Sequence, residues 1–218
     1  VLMRLFDALH IPTSFTTISV ATVLCGAAAL YRFDRAPGLT PSQSATSKTD
    51  RLALLLIALL VALVAVRYST LLIELTTRPL YAWDAWMNWA PKAVVWLHFG
   101  EMVPYVAPPE WLVTTDQVAY SLGNSSASTY PNTVPLLYWW MMLATGSAEN
   151  SLILLPWLLA PLALGCALYG HLRADGVSPL LGVIAFYALV NMPYVNVHSA
   201  LAGYADIWMA AAFSLALF

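Results

Sequence analysis

The hydrophobic positions of this chain fall into long unbroken blocks rather than into alternating or narrow-striped patterns. Four blocks, 15–31, 52–73, 152–169 and 177–192, are long enough, or nearly so, to cross a bilayer. A fifth opens at Ile207 and reaches the last residue, Phe218, before it attains spanning length. A spanning helix needs about 20 predominantly apolar residues. The fifth block is therefore read as the incomplete span 207–218, and the sequence as the N-terminal part of a larger polytopic protein. Pro156 and Pro161 lie in the third block. Proline is tolerated inside a membrane when neighbouring helices satisfy the freed carbonyls.

Composition turns these blocks into a class. The chain is 61% hydrophobic and only 9% charged, with mean hydropathy +0.73. Soluble domains carry about 25% charged residues. The fold class expected is an all-α polytopic membrane protein, one transmembrane domain over 1–218, with a large first external loop that holds interfacial helices. The net charge of −2 is uninformative, and no basic tract points to nucleic acid. Cys25 and Cys166 sit in apolar runs and read as small buried hydrophobes rather than as a disulfide or metal framework.

The basic residues set an orientation. Arg32, Arg35, Lys48 and Arg51 gather between the first two blocks, and short basic loops stay cytoplasmic. The second span then runs outward, with Arg67 near its end snorkelling to the interface. Residues 76–150 lie outside, His171 and Arg173 return to the cytoplasm, and 191–206 are outside again. A cleaved signal sequence is the rival reading of the first block. Met3-Arg4 and Ala27-Ala28-Ala29 suit it, while Asp7 and the long approach count against it.

The external segment carries the candidate chemistry. Residues 81–92 hold Trp83, Trp86 and Trp89 around Asp84, Asn88 and Lys92. A carboxylate at a membrane edge is either solvated or functional. In a helix over 83–96, Trp86, Trp89 and Trp96 share one face, and Asp84, Asn88 and Lys92 share another. That division predicts an interfacial helix with its aromatic face in lipid. Pro91 predicts a kink or break, so that the two stripes could belong to two short helices. Further on, Tyr130-Pro131 precedes a short apolar stretch, 134–144, which is too short to span and reads as re-entrant or interfacial. The polar segment 123–128 between them is a flexible loop, and its Asn124-Ser125-Ser126 matches a glycosylation acceptor only weakly.

A second acid, Asp206, stands in the later external segment beside Gly203, Tyr204 and Trp208, with His198 upstream. Capping of the following helix is the plain reading of Asp206. Two acids on one side of a membrane can also divide the tasks of base and cation binding.

This order of features resembles the GT-C membrane glycosyltransferases, which include oligosaccharyltransferases, protein O-mannosyltransferases and the aminoarabinose transferases of lipid A. The resemblance rests on Trp83-Asp84-Ala85-Trp86 with Lys92, on Tyr130-Pro131 and on Gly203-Tyr204-Ala205-Asp206, over roughly 52–218. Ala85 stands where many members have a glutamate, and Trp208 where oligosaccharyltransferases have another acid. The resemblance implies transfer of a sugar from a polyprenyl-phosphate donor to a glycan, lipid or protein acceptor, at the periplasmic face of a bacterial inner membrane. It implies Asp84 as general base and Asp206 as its catalytic companion, the two together as ligands of a divalent Mg or Mn ion if one is used. Lys92 would contact the leaving phosphate, and Trp83, Trp86, Asn88, Tyr130, His198 and Tyr204 would bind substrate. A transporter or flippase of a lipid-linked or small polar substrate and a non-catalytic membrane scaffold are the other classes. Transporters place charges at broken helices in mid-span, whereas the acids here stand at span ends.

Overall fold

The computed structural model describes residues 2–34, 50–115, 118–121 and 124–217. Arg35 and Lys48 of the basic loop, and Gly123, lie outside the described residues. The described chain is 75% helix and has no strands. Its helices are α1 (Leu2–Ala8), α2 (Phe15–Asp34), α3 (Arg51–Thr77), α4 (Ala90–Phe99), α5 (Pro108–Trp111), α6 (Thr133–Thr145), α7 (Leu155–Ala174), α8 (Pro179–Val190), α9 (Pro193–Ala200) and α10 (Asp206–Ala216). A π-helical turn, Ala85–Trp89, leads into α4, and 3-10 turns occupy Ser125–Thr129 and Ser151–Leu154.

Three helical segments are long and apolar enough to cross a membrane: Phe15–Arg32, Arg51–Thr77 and Ser151–Ala174. A fourth candidate is the pair α8 and α9, bent by 51° at the break between them. The α8 helix lies within the expected span 177–192, but much of the segment 191–206, read as an external loop, is helical. Pro193 does not open a loop but starts α9, where the fixed φ of proline suits a first helical turn. Pro156 falls in the first turn of α7, so only Pro161 interrupts the body of that helix. Cys25 and Cys166 are both exposed, not buried as expected. Each stands on an outward flank of an apolar helix.

The chain, expected as one transmembrane domain, divides into two compact units. The first comprises Val1–Ala36 and Pro79–Leu154. Its core lies between α4 and α6, where Trp96 meets Trp139 edge-on at 5.8 Å and Tyr138, Trp139 and Met142 are wholly buried. Gly100 and Gly146 close these two helices in the left-handed conformation, φ 74° and 67°, which glycine adopts without a Cβ clash. The α2 helix leans on α6 through the stacked rings of Phe15 and Trp140, 5.5 Å apart. The Asp7 carboxylate of α1 accepts the Met102 N–H at 3.0 Å, tying α1 to the chain that follows α4.

The second unit comprises Pro37–Arg78 and Leu155–Phe218. The α7 and α8 helices approach closely at two glycines. A Cβ on Gly165 would stand 2.7 Å from the Phe186 ring, and one on Gly182 would stand 2.9 Å from Tyr169. Small residues serve close helix packing in membranes this way, because dispersion contacts replace a hydrophobic driving force. The α8–α9 break is bonded from two sides. Asn196 donates to the carbonyls of Val190 and Met192, and Tyr68 donates to Val190 at 3.2 Å. Arg67 donates through Nε to Asn196 Oδ1 at 2.6 Å. The expected snorkelling of Arg67 gives way to a bond on the broken helix, since an unpaired guanidinium beside hydrocarbon is costly.

Candidate functional site

Asp84 directly precedes the π-turn, and the geometry of that turn explains its surroundings. An α-helix sets residue i over i+4, whereas a π-turn brings i+5 within reach as well. Asn88, at i+4, donates through Nδ2 to Asp84 Oδ1 at 2.5 Å. Trp89, at i+5, donates its indole N–H to Asp84 Oδ2 at 2.6 Å. Both carboxylate oxygens thus accept from neutral donors, and the acid is held in one orientation while remaining half-buried. Asn88 in turn accepts from Asn124 Nδ2 at 2.7 Å. Asn124 also takes the Ser126 N–H on its carbonyl oxygen at 3.1 Å, which caps the 3-10 turn. A polar row therefore runs Asn124, Asn88, Asp84, Trp89 inside the first unit.

Lys92 lies one turn beyond. Its side chain is 1% exposed. The ammonium donates to the carbonyls of Tyr130 at 2.9 Å and Ser128 at 3.3 Å, and to Asn132 Oδ1 at 3.2 Å. An ammonium has three donors, so all are engaged. Burial, and then the neighbouring Arg4 charge, pushes Lys92 below its ordinary range. The expected phosphate contact does not match this geometry. Lys92 fastens the segment before α6 and stands away from solvent. Tyr130 is fixed twice, by Lys92 at its carbonyl and by Trp89 at its ring, with centroids 5.1 Å apart.

The two predicted stripes do not separate into an aromatic lipid face and a polar face. Asn88 and Lys92 point inward. Trp96 is also interior, donating to the Val103 carbonyl at 2.9 Å, and Trp89 is buried over Tyr130. Only Trp83 and Trp86 face outward, 61% and 48% exposed. The predicted lipid-facing stripe of Trp86, Trp89 and Trp96 is therefore split, because the interior offers hydrogen-bond acceptors for two indoles. Pro91 lies in the first turn of α4, just past its junction with the π-turn Ala85–Trp89, so the stretch is two short helical elements, as the proline suggested.

Tyr138 of α6 is a member of this site that sequence reasoning missed. It is wholly buried. Burial, and secondarily the Asp84 carboxylate, holds its phenol well above the usual range. Asn124 was missed as well, being read as a weak glycosylation match in a flexible loop. In both cases the signal, a buried phenol in one and an amide bonded to Asn88 in the other, is visible only once α6 and the 3-10 turn are placed beside the π-turn.

The second acid belongs to the other unit. Asp206 is exposed and opens α10, where a carboxylate is favoured by the helix dipole. Its Oδ2 lies 3.9 Å from His198 Nδ1. The His198 ring lies tilted against Tyr194 with centroids 4.3 Å apart and meets Tyr204 edge-on at 6.1 Å. The Tyr204 carbonyl accepts the Trp157 indole N–H at 2.7 Å. Asp84, Asn88, Lys92 and Tyr130 thus gather in the first unit, and His198, Tyr204 and Asp206 gather in the second.

Among the described residues no cluster of three or more His, Cys, Asp or Glu side chains is placed to hold a metal ion. Around Asp84 the near partners are N–H donors, which suit a bare carboxylate and not a cation. Comparison with family models, curated proteins and solved structures gave no match.

Proposed function

We propose that this chain is part of a membrane glycosyltransferase of the GT-C type, with Asp84 as the general base. The observation that supports this most is the fixed Asp84 carboxylate. Both its oxygens accept short hydrogen bonds, it remains half-open, and two outward tryptophans flank it. A base must be held in place and still reach its acceptor. In the reaction, an acceptor hydroxyl attacks the anomeric carbon of a polyprenyl-phosphate sugar. The new C–O bond forms as the bond from that carbon to the phosphate oxygen breaks. The acceptor proton passes to Asp84, and the electron pair of the broken bond leaves on the polyprenyl phosphate. Trp83 and Trp86 offer faces for a sugar ring or a prenyl chain. Asn88, Trp89 and Lys92 are positioning residues.

The expected siting, at the periplasmic face of a bacterial inner membrane, forms part of this reading. The test is reconstitution of the full-length protein with undecaprenyl-phosphate sugars and measurement of released undecaprenyl phosphate. Release that disappears in Asp84→Asn, with folding intact, supports the reading. Unchanged release removes Asp84 as base.

One observation favours the transport reading instead. The bent α8–α9 pair carries Arg67 on its break, an arrangement transporters use at substrate sites. Bilayer translocation of a fluorescent lipid-linked sugar that depends on Arg67 and not on Asp84 would establish it.

A further inference from the structure

The first unit holds a cleft that the proposed chemistry does not use. It has a volume of about 650 Å³, within the range of roughly 300–1,000 Å³ typical of ligand sites. Its walls are apolar, formed by Ile18 of α2, Leu136, Leu137 and Trp140 of α6, and Met3 of α1. Its polar lining comes from Arg4, Thr22, Asn132 and Thr133. One wall, α2, is a candidate membrane span whose surface is almost wholly unburied, so the cleft adjoins a lipid-facing helix.

The charge balance identifies what is missing. Among the described residues Arg4 has no carboxylate within ion-pair distance. A cation without a carboxylate partner, lining an otherwise apolar cleft, calls for an anion that carries a hydrocarbon tail. The cleft is also walled off from Asp84. Pro131 and Asn132 line it, while the adjoining Tyr130 turns its ring to Trp89 and Lys92 fastens the segment between them.

We propose that this cleft binds an anionic glycerophospholipid, with one acyl chain along Ile18, Leu136 and Trp140 and the phosphate on Arg4. The site stands whether or not the chain transfers a sugar, and its lipid is a resident partner of the fold. Basic pockets beside spanning helices take anionic head groups by the same electrostatics.

The test uses the full-length protein, delipidated in detergent and titrated with dioleoylphosphatidylglycerol or dioleoylphosphatidylcholine. Native mass spectrometry reads the lipid bound, and thermal unfolding reads the stabilisation. Phosphatidylglycerol is expected to bind one per chain and to raise the unfolding temperature as its concentration rises. Phosphatidylcholine carries the same phosphodiester and adds a quaternary ammonium, whose repulsion from Arg4 is expected to weaken its binding about tenfold. Arg4→Gln should erase the preference, and Thr22→Trp should fill the cleft and abolish binding, both with unchanged circular dichroism. Equal binding of the two lipids by the wild-type protein overturns the proposal without recourse to a variant. So does a preference that survives Arg4→Gln. Displacement of phosphatidylglycerol by an equal concentration of undecaprenyl phosphate would overturn the assignment of the occupant.

Discussion

The Trp89 indole donates to Asp84 Oδ2 at 2.6 Å while its ring packs on Tyr130. One side chain thus fixes the acid and the segment opposite it. Trp89→Phe preserves an aromatic ring over Tyr130 and removes only the N–H. The expected result is a folded protein that releases undecaprenyl phosphate at a lower kcat with little change in KM, because the substituted group touches the base and not the substrate. A charge-assisted bond contributes about 1.5–3 kcal/mol, and the half-open carboxylate places the loss of fold stability at the low end of that range. Parallel measurement of turnover and thermal unfolding checks both.

Lys92→Met tests the fastening of the segment before α6. The substitution keeps the aliphatic stem and leaves the carbonyls of Ser128 and Tyr130 and Oδ1 of Asn132 without their shared donor. A loss of about 1.5–3 kcal/mol is expected from removing a buried charged donor. Lys92→Arg should not restore it, because a planar fork does not fit a site shaped for a compact ammonium. Chemical denaturation in detergent reads both variants.

Alkaline titration separates two opposite effects. The phenols of Tyr105 and Tyr138 are held above their ordinary value of 10.0, chiefly by burial. The unfolded chain therefore ionises first, and their contribution to stability is full below pH 10 and is lost as pH rises beyond it. Tyr138→Phe should flatten that alkaline fall. Lys92 is displaced downward from 10.5, so its contribution has the opposite sign. It is present above pH 10.5 and lost as pH falls through the lower, folded value. In Lys92→Met the corresponding rise with pH, just below 10.5, should disappear. Unfolding temperatures of the wild-type protein and both variants between pH 8 and pH 11.5 give the slopes.

Gly165→Val tests the contact of α7 with α8. The added Cβ would lie 2.7 Å from Phe186 and 2.8 Å from Val190. Overpacking of this kind typically costs about 1–3 kcal/mol. Gly170→Ala, on the same helix with open space around it, is the matched control. It should be neutral or slightly stabilising, and thermal unfolding distinguishes the two.

Asp206→Ala should change stability by less than about 1 kcal/mol, since the acid is exposed and its His198 partner is 3.9 Å away. A large loss of transfer with so small a loss of stability would assign it to substrate. Equal small losses in both would leave it as the dipole partner of α10.

The candidate spans were legible in the sequence because apolar length is a local property. Blocks 52–73 and 152–169 lie within Arg51–Thr77 and Ser151–Ala174, and the short stretch 134–144 lies within the 13-residue α6. The inward turn of Asn88 and Lys92 was not legible. Periodicity sorts side chains onto faces but does not say which face is interior, and a tryptophan stripe suits lipid and core equally. What decided the facing was the carbonyl-rich segment 128–132 and the Asn124 amide, some 36–40 residues further along. The break at Asn191 was visible as an asparagine and a proline, yet read as the edge of a loop. Asn196, Tyr68 and Arg67, which satisfy the freed groups, come from separated parts of the chain.

The π-turn makes the number of residues, and not only their identity, a determinant of the acid's environment. Deleting one residue from Ala85–Trp89 would let the segment relax to ordinary α-helical winding. Asp84 would then lie over one neighbour instead of two, and everything before it would swing by about 100° around the helix axis. A length change of one at this turn is therefore a different kind of lesion from any point substitution, because it re-aims Trp83, Asp84 and the end of the preceding segment together.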